Sequence, residues 1–462
     1  MLNEERASAL FDRVRSFTSA DELEVIVNDV RHSLTRFANN SIHQNVAEEG
    51  VVVSVRTVIG GKTARATTNK LDDASLRRAV AAAEQLTRVL ERDPDLLPMA
   101  APQPAPRQAP SRRFDSSAGL TAEDRAAAVG KIVDIAKKNG LVTAGIFSSG
   151  ESFEGILNSR GLSAFHRQSH AEISVTMLAD EVGSSGWQKA NSPDAGKLNA
   201  AALAETAARK ARESAKPREL APGKYDVVLE PAAVLDLSGS MFYDFGAQSM
   251  LDERSFLNGR VGKQLFGENL TIRDDAYHPL QSGAAFDGEG VPREPVTLVE
   301  GGVVKNLVYS RGNAARMKSS AHGGSVGNVA ATGHGFPLPN EMGDAPMNIV
   351  FEAPKGTKTR TVEQMIAATE RGVLVTRCWY IREVEPYEKI VTGMTRDGTF
   401  LVEGGKIKHG ILNFRFNQSL VELFNKIVAL GQPVRASGEE SFDMVVPAMQ
   451  ARDFNFTEVT RF

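Results

Sequence analysis

A single cysteine, Cys378, in 462 residues leaves no intrachain disulfide to be made. A reducing compartment is expected, with Cys378 as a small buried hydrophobe in the strand-like run Thr-Arg-Cys-Trp-Tyr. Charge of either sign is not in excess: 54 Lys plus Arg stand against 57 Asp plus Glu. That balance supplies no broad positive field for DNA, RNA or an anionic membrane. No apolar run approaches the roughly 18 residues of a membrane-spanning helix. The opening Met1-Leu-Asn-Glu-Glu-Arg is acidic and polar where a secretory signal is basic and then apolar. The expectation is a cytoplasmic protein with neither nucleic-acid nor membrane partners.

Apolar residues make up 42% and charged residues 24%, values typical of soluble globular chains, and the length suits two domains. After a short first helix, extended segments are expected at Leu23 to Val30, Ser33 to Phe37, Gly50 to Arg56 and Lys62 to Thr67, then a helix over 73–91. The order returns: a helix at 122–139, extended segments at Thr143 to Ser148, Phe153 to Asn158, Ser163 to Gln168 and Ala171 to Ala179, and an alanine-rich helix at 198–215. Ile173-Ser-Val-Thr echoes Val53-Ser-Val-Arg, and Ala190-Asn191 echoes Thr68-Asn69. This reads as a duplicated unit of antiparallel sheet plus helix. Between the copies, 98–112 is a Pro/Ala-rich stretch suited to an exposed linker.

Pro217 to Lys224 interrupts helix and ladder alike and divides an N-terminal domain, 1–221, from a C-terminal one, 222–462. The second is expected to be mainly antiparallel β and barrel-like, with helices near 232–246 and 418–430 and hairpin turns at Glu300-Gly-Gly, Asp397-Gly and Glu403-Gly-Gly. The fold class is α+β.

Three constellations invite chemistry. Gly323-Gly-Ser-Val-Gly has the spacing of a nucleophile elbow around Ser325, with His322 and His334 close by. Its flanks lack the strand and helix that expose such a serine, so a glycine-rich surface or lid loop is the reading. Asp274-Asp-Ala-Tyr-His278 offers two carboxylates and an imidazole, but no second histidine, and reads as a solvated turn. His166 and His170 share one face of a strand, again read as solvated. No catalytic residue and no metal ligand is assigned.

Several stretches, in order, resemble the TldD/PmbA family, whose members were historically called modulators of DNA gyrase. They include Leu34-Thr-Arg-Phe-Ala-Asn-Asn-Ser-Ile-His-Gln, Pro222-Gly-Lys-Tyr-Asp-Val-Val-Leu-Glu-Pro, Gly259-Arg-Val-Gly-Lys and Phe286-Asp-Gly-Glu-Gly-Val-Pro. Val391-Thr-Gly-Met-Thr-Arg-Asp-Gly, Asn413-Phe-Arg-Phe-Asn-Gln-Ser and Val446-Pro-Ala-Met complete the series. The resemblance implies a peptidase, with TldD-type members carrying zinc on His-Glu-x-x-x-His in the first helix of the C-terminal domain and a late cysteine suggested as a further ligand. Here no His is followed by Glu. The motif's place falls near Ser238-Gly-Ser-Met-Phe-Tyr243, and Arg435 to Ser437 stand near the place of the cysteine. The pattern is similar to the TldE/PmbA type, a metal-free subunit whose TldD-type partner would hold the zinc and with which it would cleave peptides or unfolded proteins. An independently active hydrolase or a non-enzymatic scaffold are the other readings.

Arg377, Arg382, Arg396 and Arg415, with Tyr380 and Asn417, gather in the strand-rich end of the chain. With a free sheet edge they could hold the backbone and carboxylate of an extended peptide, which the resemblance favours. They could equally pair with Glu383, Glu385 and Asp397.

Overall fold

The computed structural model describes all residues except 105–106, 180–183, 324–325, 328 and 461–462. Helix α1 (Glu4–Arg15) starts where the Asn3 side chain accepts the Arg6 N–H, and buries Ala7, Leu10, Phe11 and Val14 along one stripe. Strands β1 (Glu22–Ala38), β2 (Ser41–Ile59) and β3 (Lys62–Thr68) follow, then α2 (Asp73–Val89), capped by Asp72. After the short α3 (Asp115–Ala118) the order repeats. Helix α4 (Ala122–Lys138) is opened by a Thr121–Asp124 capping box, and β4 (Val142–Asn158), β5 (Ser163–Leu178), β6 (Ser185–Ser192) and α5 (Ala200–Glu213) complete the copy.

The two copies share one antiparallel sheet, ordered β3-β2-β1-β4-β5-β6. Its register carries the duplication: Val25 faces Val55 and Gly145 faces Val175, while Val53 faces Thr68 and Ile173 faces Ala190. The echoes in sequence are therefore equivalent places on equivalent strands. Segments expected as separate, Leu23 to Val30 with Ser33 to Phe37 and Thr143 to Ser148 with Phe153 to Asn158, are each one strand of 17 residues. The polar run between the first pair is where β1 crosses from one apolar cluster, holding Leu23, Val25 and Val27 against α1 and α2, to another that holds Phe37 against α4.

The stretch 98–112 has no helix or strand among its described residues, yet its ends are not exposed as a linker's would be. Met99 and Ala100 are buried, and the Arg112 guanidinium donates to the Ala276 and His278 carbonyls at 2.9 and 3.1 Å.

The second half begins with β7 (Gly223–Leu229) and α6 (Pro231–Ser238), with proline in the first turn, where no N–H partner is needed. A 3-10 segment, Gly239–Phe245, and α7 (Ala247–Leu251) follow, so the single helix expected over 232–246 is broken at Gly239. Next come β8 (Thr271–Asp274), β9 (Val296–Glu300), β10 (Val303–Val304), α8 (Arg311–Ser319), β11 (Ile349–Glu352) and α9 (Val362–Ala367). The remainder is β12 (Arg371–Glu385), β13 (Ile390–Glu403), β14 (Lys406–Gly410), β15 (Phe414–Ser419), α10 (Leu420–Asn425), β16 (Ile427–Leu430), β17 (Val434–Ala436), β18 (Met444–Val446) and β19 (Met449–Val459). The helix expected over 418–430 thus ends at Asn425 and gives way to a strand. Asp397-Gly398, expected as a hairpin turn, is a left-handed kink inside the continuous β13.

Strands β12-β7-β19-β15-β13 run side by side, and β12 also pairs with β13, closing a five-stranded barrel. A second sheet, β10-β9-β8-β11-β18-β17, packs with it through Phe242, Phe245, Phe256, Phe266, Phe351 and Phe424, whose rings touch at centroid distances of 5.6–6.2 Å. Each buried ring contributes about 1.5–3 kcal/mol of transfer free energy. The α+β expectation holds, with a barrel in the C-terminal half and sheets that are mainly antiparallel, β12–β7 and β11–β18 being parallel pairs. Among the described residues no helix is long and apolar enough to cross a membrane.

Candidate functional site

Where β7 ends, α6 takes its place beside β12, so this edge of β12 has no neighbouring strand beyond Val375: β7 pairs with β12 only over Gly372–Val375. An open edge there would suit a peptide. Two carboxylates close it. The Cys378 N–H donates to Asp236 Oδ2 at 3.0 Å, and the Tyr380 and Ile381 N–H groups donate to the two oxygens of Glu440 at 2.9 and 3.1 Å. The free sheet edge expected for this stretch is therefore occupied from within.

Asp236 is 2% exposed on an otherwise apolar helix, and burial pushes its carboxyl up to about 7 against the pull of the Cys378 amide and Arg377. Burial also pushes the Cys378 thiol up, which leaves it an inert core group. Beside them the Arg377 guanidinium donates to Asp397 Oδ2 through Nε at 2.7 Å and lies between the Trp187 and Trp379 rings, 4.8 and 5.6 Å from their centroids. Asp397 also accepts the Ser185 hydroxyl at 2.7 Å, so this ion pair joins β6 of the first sheet to the barrel.

The segment 437–441 covers this region. Lys189 holds it through the Gly438 carbonyl at 3.0 Å, and Ser437 donates to Glu172 at 3.2 Å. It passes so close to the end of α6 that a Cβ on Gly239 would fall 1.9 Å from Ser441 Oγ, and one on Gly438 would fall 2.3 Å from Asp236 Oδ1. The place assigned to the zinc motif, Ser238 to Tyr243, is thus filled. Ser238 Oγ donates to the Val234 carbonyl at 2.8 Å, and Met241 and Phe242 are wholly buried in the core. These side chains do not fit a zinc ion, and among the described residues no group of three His, Cys, Asp or Glu is placed to hold one.

The arginine set is divided. Arg377 is the buried structural pair just described. Arg396 lies over the Trp379 ring, 5.0 Å from its centroid, and Arg382 lies 4.5 Å from the centroid of the Tyr380 ring. Arg382, Thr392 and Asn417 form a cross-strand row on β12, β13 and β15, and Arg415 sits two pairs along, opposite Met394. Arg415 is 3.8 Å from Glu458 in an exposed pair. Glu383 pairs with Lys389 rather than with an arginine, and Glu385 accepts the Tyr387 and Glu388 N–H groups in the β12–β13 turn.

The other constellations lie elsewhere. Ser325 lies outside the described residues. His334, near it in sequence, is a loop residue buried against the end of β8, its Nε2 2.9 Å from Asp274 Oδ1. Asp274 is therefore not in a solvated turn. Burial opposes its charge, yet His334 and the Asn348 amide, at 2.7 Å, hold it below the usual carboxylate range. His170 does not stand on a solvated face either. It meets His32 at the edge of a polar cavity of about 350 Å³ that also reaches Glu172, Asn191, Arg435 and Asp443.

Asp236 could have been suspected as the one charge in Ala-Ala-Val-Leu-Asp-Leu-Ser. Glu440 carries no signal of its own, since its partners are main-chain amides 60 residues away in sequence.

Comparison with known proteins agrees with this architecture. The model of the PmbA/TldA metallopeptidase C-terminal domain matches residues 222–458, that of domain 1 matches 23–87, and that of the central domain matches 69–215. An uncharacterized protein of Methanocaldococcus jannaschii is 30% identical over 191 residues, 40% of this chain and 44% of that protein. Metalloprotease PmbA of Escherichia coli O157:H7 is 23% identical over 252 residues, 53% of this chain and 49% of that protein. The chain thus spans about half the length of these curated relatives. The crystal structure of TldE from Thermococcus kodakarensis superposes with a TM-score of 0.85 over 98% of this chain and 100% of that one, at 19% identity, and so shares the fold. Since the first of these family models alone covers half of the sequence, the chain belongs to the PmbA/TldA metallopeptidase family.

Proposed function

We propose that this chain is a TldE/PmbA-type subunit: it carries no zinc of its own and completes a cytoplasmic peptidase whose TldD-type partner holds the metal. The supporting observation is the filled motif site. Ser238 to Tyr243 presents a bonded hydroxyl, a glycine under Ser441 and core side chains where the family's zinc ligands would stand. Scaffold kept and ligands absent make chemical sense if a second chain supplies the metal. On this reading the barrel face bearing Tyr380, Arg382, Arg396, Arg415 and Asn417 forms part of a wall for peptides or unfolded polypeptides, with guanidinium and amide groups holding backbone and carboxylates. Because both subunits would share a fold, their contact would be pseudo-twofold, with similar patches used on each.

Metal analysis and peptide-cleavage assays on this chain alone, on a cognate TldD-type protein alone and on their mixture test the reading. Cleavage should appear in the mixture, with zinc assigned to the partner. Chelator-sensitive cleavage by this chain alone would overturn it, and a folded chain that never associates with the partner would overturn it equally.

A further inference from the structure

The bulge at Tyr380 has the build of a carboxylate receptor. Trp379 pairs with Met394 and Arg382 with Thr392, so Tyr380 and Ile381 together oppose the single residue Gly393. Tyr380 has φ 58°, the left-handed conformation that a glycine normally supplies in such a bulge and that a bulky side chain disfavours. Gly393 makes room for it, because a Cβ there would fall 2.6 Å from Ile381 Cδ1. The turn sends two successive main-chain N–H groups to the same side of the strand. Both are satisfied by Glu440, one oxygen each, and Arg382 Nη1 stands 3.6 Å from the same carboxylate. Two adjacent amides and a guanidinium around one carboxylate form a nest of the kind that captures anions and peptide C-termini.

The occupant is a tethered side chain of the same protein, on a segment held at Gly438 by Lys189 and at Asp443 by Arg435. Glu440 belongs to a segment, 437–443, with no helix or strand of its own. The rim of the nest is open, with Tyr380 50% exposed and the Arg382 side chain 59%, while the Glu440 side chain that fills it is 13% exposed. From Arg382 the cross-strand row continues through Thr392 to Asn417 on the outer barrel surface, giving a bound chain polar groups to follow.

We propose that the Tyr380 and Ile381 amides and Arg382 form a receptor for the C-terminal carboxylate of a peptide, and that Glu440 is the internal stand-in which an incoming peptide displaces. A C-terminal carboxylate presents the same two oxygens and the same charge. It needs only to outcompete one side chain on a loop, whose local concentration is fixed by its tether. The proposal rests on the peptide-wall reading above only for the nature of the ligand. It requires neither the partner nor zinc.

The test uses the full chain and a fluorescein-labelled ten-residue Gly/Ser/Leu peptide, made with a free C-terminal carboxylate and as its amide, with binding followed by anisotropy. Glu440→Ala should tighten binding of the free acid by about tenfold, the scale expected for removing a tethered competitor, and leave the amide unchanged. Arg382→Gln in that background should reverse most of the gain. Glu440→Gln, whose single amide oxygen can accept only one of the two N–H bonds, keeps the size of the side chain as a guard against a folding defect and should favour the acid by less than the alanine variant does. Equal affinities for acid and amide in every variant would overturn the receptor while leaving a peptide wall in place. Binding of neither peptide by folded protein would overturn both, whatever the mixing assay with the partner shows.

Discussion

The imidazoles of His32 and His170 meet edge to edge above Gly150, with Nδ1 of the first 3.0 Å from Nε2 of the second. Their planes lie within 9° and their centroids 5.2 Å apart, the arrangement of an in-plane N–H···N bond. The three residues form one row across β1, β4 and β5, His32 opposite Gly150 and Gly150 opposite His170. Burial, and then His32, lower the His170 pKa to about 4. The folded chain therefore resists protonating His170 between about pH 6.5 and 4, while the unfolded chain accepts that proton. Stability is present in full above the unfolded value and is lost as the pH falls through this window. Melting temperatures from pH 7.5 to 4.5 should fall less steeply in His170→Gln than in the parent, by an amount equivalent to about 1–2 kcal/mol once partial solvent screening is allowed for. Parallel profiles would show that protonation of His170 is not linked to unfolding.

Gly150 is what lets the rings meet. A Cβ there would lie 2.0 Å from the Arg31 carbonyl oxygen and 2.7 Å from His170 Cε1. Gly150→Ala should therefore destabilise the chain by about 2–4 kcal/mol, since the main chain has to move. Gly130, inside α4 with nothing within 4 Å of a new Cβ, is the contrasting site. Gly130→Ala should stabilise by about 0.5–1 kcal/mol through helix propensity. Urea unfolding of both variants separates crowding from a general intolerance of glycine replacement.

The duplication was legible in the sequence because equivalent strands kept equivalent patterns: Val53-Ser-Val-Arg and Ile173-Ser-Val-Thr occupy matching registers. The lengths of β1 and β4 were not legible, because a strand that bridges two cores shows a polar interruption indistinguishable from a turn. Asp397-Gly398 misled for a similar reason, since a left-handed pair serves a bulge as well as a hairpin. At the site, Tyr380 and Arg382 were readable as exposed polar and aromatic groups on a strand. Their closure by Glu440 was not, because a carboxylate bonded to main-chain amides leaves no trace in the identity of the residues it caps.

The Arg377–Asp397 pair makes a sharper prediction than the exposed pairs around it. Arg377 and Asp397 are each 6% exposed, and Asp397 is the carboxylate that receives the Arg377 Nε. Asp397→Ala strands a buried guanidinium between two tryptophans and should cost about 3–5 kcal/mol. Glu458→Ala, which removes only the exposed partner of Arg415, should change stability by less than about 0.5 kcal/mol. Denaturant midpoints decide this, and similar losses for both would mean that burial does not separate the two pairs.

Grafting onto this chain the His-Glu-x-x-x-His that the TldD resemblance implies tests whether the place assigned to it can accept such a motif. The graft consists of Ser238→His, Gly239→Glu and Tyr243→His. Position 238 is fully buried, with its hydroxyl bonded to Val234, so an imidazole there must displace core side chains. Position 239 is tighter still, because the first carbon of a glutamate would fall 1.9 Å from Ser441 Oγ. Only Tyr243, 42% exposed, has room for a different side chain. Overpacking of this kind costs about 1–3 kcal/mol per site, so the triple variant should unfold at clearly lower denaturant than the parent. It should also bind zinc no better than the parent, since two crowded imidazoles lack a third ligand. Shortening the covering segment by deleting Ser441 in the same background should recover part of the lost stability, because it relieves the contact with position 239. A grafted chain as stable as the parent and holding one zinc per molecule would show that the scaffold had stayed open, and that residue identity alone separates this chain from a zinc-binding one.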